Sequence, residues 1–439
     1  MITPKMTLSE RDRKCLWHPF TQERTAPLPI AIERAAGSYL YDEKGAAYLD
    51  LISSWWVTLH GHGHPEIAKA IYDQACQLEH VIFARFTHEP AVSLCEKLQA
   101  LLPSQLSRFF FSDNGSTAVE VALKMAYQYW SNKGFHEKTL FLSFEGGYHG
   151  ETFGSMSVGV SEFHRPFSKL CFPTRNIPFP DTWEGDEDVE EKETHALNVL
   201  EGLLKTNESK ISALILEPLV QGVGGMRMCR PEFLKKVVER VRAVDVLVIF
   251  DEVMTGFGRT GTHFALEQAK VAPDFLCLSK GLTGGFLPLA LTVTTEDVYE
   301  AFLSDHFTMA FAHGHSYTAN PLGCAAAIAS LDLLTKQETQ TSIQAINQAH
   351  KAGVAYLLER CPHVVRPRVL GTIAAFDVAS PHKSPHGTHE EPILRKRFLE
   401  ENLLLRPLGD TIYLLPPYSV TTSELEGAYE RIAEILRFT

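Results

Sequence analysis

The chain has 439 residues, 45% of them apolar and 21% charged, a composition that can bury a large core and suits two or three structural units of a soluble globular protein. Its net charge is -12 and no basic stretch could track phosphates, which argues against nucleic acid as a partner. The eight cysteines, Cys15, Cys76, Cys95, Cys171, Cys229, Cys277, Cys324 and Cys361, form no C-x-x-C pair, so reduced thiols in a cytoplasmic protein are expected rather than a disulfide framework or a zinc site. The first residues carry charges without an apolar run, and no stretch approaches the ~20 apolar residues needed to cross a bilayer, so neither a signal peptide nor a membrane span is expected.

Short apolar runs at 108–112, 139–144, 213–219, 246–250, 275–278 and 289–293 alternate with helical patterns. Alternation of this kind predicts an α/β fold with a mostly parallel sheet buried on both faces. Ligands of such sheets sit beyond the carboxyl ends of the strands, so the polar residues that follow each run are the candidates for chemistry. After 108–112 comes D-N-G-S-T, in which Gly115 permits close backbone approach and Ser116 and Thr117 offer donors at a helix N-terminus, where an anion is favoured. An ordinary Ser/Thr helix cap has the same pattern. After 139–144, G-G-Y-H-G sets Tyr148 on a glycine-flanked turn, either to stack on a planar ring or simply to pack. The acidic stretch 181–192 reads as a solvated loop.

The run 246–250 delivers Asp251 at its end, where a buried carboxylate needs a partner; a helix cap or an ion pair would also explain it. Twenty-nine residues on, F-L-C-L-S-K-G delivers Lys280. A desolvated lysine loses its proton more easily and becomes the nucleophile that a Schiff base needs. Asp251 and Lys280 at one sheet edge suggest a cofactor between them. Beyond 289–293, a helix over 337–358 and strands near 369–378 and 411–415 read as a smaller α+β unit, with a Pro-, His- and Ser-rich loop at 379–392. Two patterns mislead. G-F-G-R-T-G at 256–261 matches a dinucleotide fingerprint but opens no helix after a strand. His60, His62 and His64 alternate with glycines, without a nearby cysteine or carboxylate, and read as a loop rather than a metal cluster.

G-S-T at 115–117, Y-H-G at 148–150, D-E-V-M-T-G-F-G-R-T-G at 251–261 and S-K-G at 279–281 together resemble the class III aminotransferases of the type I pyridoxal-phosphate fold. W-H-P-F at 17–20, S-S-W-W at 53–56, E-P-L-V-Q-G-V-G-G-M-R-M at 217–228 and R-P-L-G-D-T-I-Y at 406–413 narrow the resemblance to the branch that aminates 8-amino-7-oxononanoate in biotin biosynthesis. The resemblance implies a large domain over 66–332, with a mostly parallel sheet flanked by helices, that binds pyridoxal 5′-phosphate. It also implies a small α+β domain over 333–439 and an N-terminal segment, 1–65, that joins the small domain and the active-site entrance.

By the same resemblance, Lys280 holds the cofactor as a Schiff base and moves the proton, and Asp251 pairs with the ring nitrogen. Gly115 and Ser116 hold the phosphate, and Tyr148 lies on the ring. Gly314, His315 and Ser316 complete the phosphate site of a partner subunit, which implies a homodimer with shared sites. Phe20, Trp55, Tyr148 and Arg406 line the substrate pocket, Arg406 binding the carboxylate of 8-amino-7-oxononanoate, and Arg259 helps shape it. Trp56 reads equally as core. The implied amino donor is S-adenosylmethionine, whose sulfonium suits aromatic faces, with lysine as the alternative. Two departures stand out: Phe20 replaces a tyrosine common in the family, and Gly314-His315-Ser316 replaces G-P-T.

Overall fold

In a computed structural model, residues 6–159, 161–207, 209–379 and 391–437 are described. A central sheet is built from β1 (Leu106–Ser112), β2 (Leu140–Phe144), β3 (Thr174–Ile177), β4 (Ile211–Leu216), β5 (Leu247–Asp251), β6 (Phe275–Leu278) and β7 (Ala290–Thr295). The spatial order is β1-β7-β6-β5-β4-β2-β3. β5 runs parallel to β4 and β6, and β2 parallel to β4 and β3, whereas β7 is antiparallel to both β6 and β1. Every residue of β4, β5 and β6 is buried, as helices on both faces require.

The pleat explains how such continuous apolar strands serve two cores, because successive side chains point to opposite faces. Val248 and Phe250 of β5 join a cluster with Phe233, Val237 and Val241 from helix Pro231–Arg242, while Leu247 and Ile249 join one with Val121, Ala122 and Met125 from helix Gly115–Asn132. All six predicted runs form strands. The run 213–219 stops at Leu216, because Leu219 takes φ +67 and the chain turns into a ribbon of Val220–Gln221 and Arg227–Met228. β3 lacks a sequence signal, since T-R-N-I carries a single apolar residue.

The predicted loop 181–192 is shorter than expected. Helix Val189–Asn207 begins inside it and sets Glu190 and Glu191 in its first turn, where the helix dipole favours carboxylates. Residues 380–390 of the loop predicted at 379–392 lie outside the described residues. The helix predicted at 337–358 spans Gln337–Arg360. The stretch 369–378 straddles a hairpin, because Val364–Leu370 and Ile373–Val378 pair antiparallel around Gly371, whose φ is +58. A Cβ there would lie 2.2 Å from the backbone of Thr260, so the 256–261 glycine motif is a packing joint with this hairpin. Thr411–Leu414 completes that three-stranded sheet. Strands Ile32–Ala36, Tyr39–Asp42 and Ala47–Asp50 form a second small sheet with Leu403–Leu404, tying the first fifty residues to the last forty.

The three glycine-spaced histidines diverge. His60 Nε2 lies 3.2 Å from Ser330 Oγ and His62 Nε2 lies 2.8 Å from Asp50 Oδ2. His64 Nδ1 has no partner among the described residues.

Candidate active site

The carboxyl ends of the parallel strands converge on a cavity of about 700 Å³, lined among others by Gly115, Ser116, Tyr148, Asp251 and Lys280. Five of the predicted residues therefore meet in one place, Asp251 as the last residue of β5 and the others in segments that follow a strand. At the β1 end, helix Gly115–Asn132 is capped by Asn114, whose side chain accepts from the Thr117 amide. Glycine suits the next position, because a Cβ on Gly115 would lie 2.6 Å from Val253 Cγ1 and displace that side chain. Ser116 Oγ accepts a 3.0 Å hydrogen bond from the Glu151 amide. Gly150, at φ +125, makes that approach possible, since a Cβ on it would lie 2.0 Å from Ser116 Oγ.

At the β5 end, Asp251 is 5% exposed. Its Oδ1 accepts from the Val253 amide at 3.1 Å, and its Oδ2 lies 2.8 Å from His149 Nδ1. His149 is itself buried, and its Nε2 has no partner among the described residues. Lys280 opens a short 3-10 turn after β6 with φ +46, a left-handed conformation that lysine seldom adopts and that recurs at functional sites. Its Nζ lies 4.7 Å from the centroid of the Trp56 ring. Burial holds the Lys280 amine below the usual lysine range, against the opposing charges of Asp251 and Glu217 and with a smaller contribution from Arg259. A larger neutral fraction follows at physiological pH, which is what a nucleophilic amine needs.

Glu217, just past β4, lines the same cavity. Its carboxylate accepts from the amides of Tyr148 at 3.0 Å and Gly222 at 2.8 Å. Burial pushes this carboxyl up to about 7; His149 pulls it down, Asp251 pushes it up, and the two amides pull it down. The Tyr148 hydroxyl donates to Glu151 Oε1 at 2.7 Å, and its ring stacks on His164 with centroids 5.8 Å apart. Burial first, then Glu151, raises the pKa of that hydroxyl.

Phe20, Trp55 and Arg406 form a separate cluster. The Arg406 guanidinium lies 4.6 Å from the Trp55 ring centroid, and Phe20 meets Trp55 edge-on at 5.6 Å. Phe163 also meets Phe20 edge-on, with centroids 5.4 Å apart. Arg259 does not line the cavity. It is fully buried and donates to the Pro416 and Thr58 carbonyls at 2.8 and 3.2 Å, joining the two ends of the chain. Gly314, His315 and Ser316 also lie outside this cavity. Gly314 and Ser316 are exposed, and the Ser316 carbonyl lies 2.6 Å from His80 Nε2.

Sequence reasoning misses His149, Glu217 and His164 and leaves Trp56 undecided. The same rule that finds Asp251 would have found Glu217, the first polar residue after β4. His149 stands beside Tyr148 in G-G-Y-H-G, but its pairing with Asp251 joins residues 102 apart in the chain.

The pattern of the family described as Aminotransferase class-III matches residues 20–436. A relative from Synechococcus elongatus, named adenosylmethionine-8-amino-7-oxononanoate aminotransferase, is 52% identical over 425 residues, covering 96% of this chain and 98% of its own. The crystal structure of the protein of that name from Methanocaldococcus jannaschii superposes with a TM-score of 0.91 at 35% identity, covering 98% of this chain and 99% of its own. An amine transaminase from an uncultivated Pseudomonas species, solved in its PLP-bound form, superposes with a TM-score of 0.87 at 29% identity, covering 96% and 97%. With the family pattern spanning nearly the whole chain and the strand ends arranged as described, the chain belongs to the class III aminotransferases.

Proposed function

We propose that the chain is a pyridoxal-5′-phosphate-dependent transaminase of the cytoplasm that converts 8-amino-7-oxononanoate to 7,8-diaminononanoate in biotin biosynthesis, with S-adenosylmethionine as amino donor. The observation that carries this reading is the single cavity holding Lys280, Asp251 and the helix N-terminus at Gly115 and Ser116. An amine, an acid and an anion site suit an aldehyde, a ring nitrogen and a phosphate on one planar molecule. The buried Asp251, paired among the described residues with an imidazole and a backbone amide, and the close backbone approach that glycine allows at Gly115 both fit that group. When bound, pyridoxal phosphate supplies the electron sink for breaking a substrate C–H bond.

The chain's own residues do the rest. Gly115 and Ser116 bind the phosphate with helix N-terminal donors. Asp251 keeps a proton on the ring nitrogen, and His149 Nδ1 orients its carboxylate. Lys280 Nζ, favoured in its neutral form by burial, would take the proton from the substrate carbon and hold it for its return within the site. Tyr148 covers the ring. Arg406 binds the oxononanoate carboxylate, a task suited to a planar fork of donors, and Phe20 and Trp55 line the pocket beside it. Gly314 and Ser316, exposed, and the half-buried His315 lie outside the lining of their own cavity, which suits completion of the phosphate site of a second copy in a homodimer. The division into 1–65, 66–332 and 333–439 is supported by the small sheet that joins the first fifty residues to Leu403–Leu404.

The donor assignment rests on aromatic faces that attract a sulfonium cation and on the name of the 52% identical relative. The test mixes purified holoenzyme with S-adenosylmethionine or lysine and follows loss of the visible cofactor absorption, then adds 8-amino-7-oxononanoate and identifies the diamine by mass. Absence of a borohydride-sensitive visible band rejects the cofactor. Conversion by lysine but not by adenosylmethionine rejects the donor.

A further inference from the structure

His164 is an unexpected residue in its position. It is 5% exposed, stacks on Tyr148 with the rings tilted by only 26°, and leaves Nδ1 buried without a partner among the described residues. A phenylalanine or leucine would fill the same space without stranding a polar nitrogen. What the imidazole adds is Nε2, which lies 3.4 Å from Glu151 Oε1. That same oxygen accepts the Tyr148 hydroxyl at 2.7 Å. The Glu151 backbone is in turn held by Ser116 Oγ. Glu151 thus joins the tyrosine on the cavity wall and a buried histidine from the 3-10 segment Glu162–Leu170 through one carboxylate oxygen, and the residue at the helix N-terminus through its backbone amide.

We infer that His164 is a positioning residue for the reaction, acting on Tyr148 both through its ring face and through Glu151. With the ring stacked on one side and Glu151 Oε1 shared by two donors, the tyrosine hydroxyl has one supported direction. Hydrogen bonds of this length in a site without substrate tighten when the site closes on its ligand. His164 touches no reacting atom and has no part in proton transfer. Its ring face positions the Tyr148 ring, and its Nε2, through Glu151, positions the Tyr148 hydroxyl.

This inference rests on the assignment of Tyr148 under Proposed function. The test is a double-mutant cycle on the holoenzyme: His164→Phe, which keeps the stack and removes Nε2, crossed with Tyr148→Phe, which removes the hydroxyl. The readout is kcat/KM for the conversion of 8-amino-7-oxononanoate. The expected result is a loss of about tenfold for His164→Phe alone and less than about twofold when Tyr148→Phe is already present, since coupled residues are not additive. Equal losses in both backgrounds, or no loss in the first, overturn the role. His164→Gln, which keeps a donor but not the ring, serves where His164→Phe fails to hold the cofactor, and is expected to recover part of the lost kcat/KM. Absence of wild-type conversion refutes the proposed function, whereas additive losses beside normal wild-type conversion refute only the role of His164.

Discussion

Gly150→Ala tests the cofactor cradle through geometry alone. The new Cβ would lie 2.0 Å from Ser116 Oγ, 2.5 Å from its Cβ and 2.8 Å from its Cα. The first contact can be relieved by rotating the serine. The last involves backbone at the start of an eighteen-residue helix and cannot. The substitution also forces alanine into φ +125, a region that essentially only glycine occupies, at a cost of about 1–3 kcal/mol. Relief by rotation turns the Ser116 hydroxyl away from its present direction, and a hydrogen bond to a charged group contributes about 1.5–3 kcal/mol. Cofactor affinity should therefore fall by about 10- to 100-fold, with a lower melting temperature. The assay titrates pyridoxal phosphate into apoprotein and follows the visible band, alongside thermal unfolding of the same samples. Unchanged affinity together with unchanged melting would refute the packing of Gly150 on Ser116 as the reason for glycine.

Asp251→Asn keeps the shape of the side chain and removes its charge, so transamination should fall by well over tenfold, the equivalent of about 1.4 kcal/mol; a smaller loss in steady-state rate rejects the ring-nitrogen role. Arg406→Ala should raise the KM for 8-amino-7-oxononanoate far more than that for the amino donor, and equal effects on the two half-reactions contradict a carboxylate clamp. Glu217→Gln should remove a pH-dependent share of stability. The carboxyl is raised to about 7 in the folded protein, so its contribution is full below the ordinary glutamate pKa and is lost as pH rises through 7. The melting difference, wild type minus variant, should shrink between pH 4.5 and 7.5, and a flat difference excludes the raised carboxyl.

The strands were legible because a sheet buried on both faces needs unbroken apolar runs, and Asp251 and Lys280 stood out as charges at the ends of such runs. β3 was not legible, since T-R-N-I gains its place by pairing with β2 rather than by its own pattern. The hairpin at 364–378 was blurred for a related reason: apolar residues continue through its turn, and only Gly371 marks the bend. His149 and His164 make contacts that no local spacing encodes. Each becomes visible only when the turn at 146–151 is folded against β5 and the segment at 162–170. Trp56, by contrast, was ambiguous because core and cavity wall ask the same of an indole. Its Nε1 donates to the Tyr413 hydroxyl at 3.0 Å while its face meets Lys280.

The antiparallel strand β7 has a consequence for synthesis. Among the described residues β1 pairs in the central sheet with β7 alone, and Ser112 pairs with Ala290. On a ribosome adding roughly 5–20 residues per second, that partner emerges about 10–40 s after β1. Throughout that interval L-S-R-F-F-F-S is an unpaired apolar edge, the kind of surface on which nascent chains stick to one another. The turn that follows β1, proposed above to hold the phosphate, shares that delay. A ribosome stalled after β1 has emerged and before β7 is made would therefore display an open apolar edge, a natural client for a chaperone.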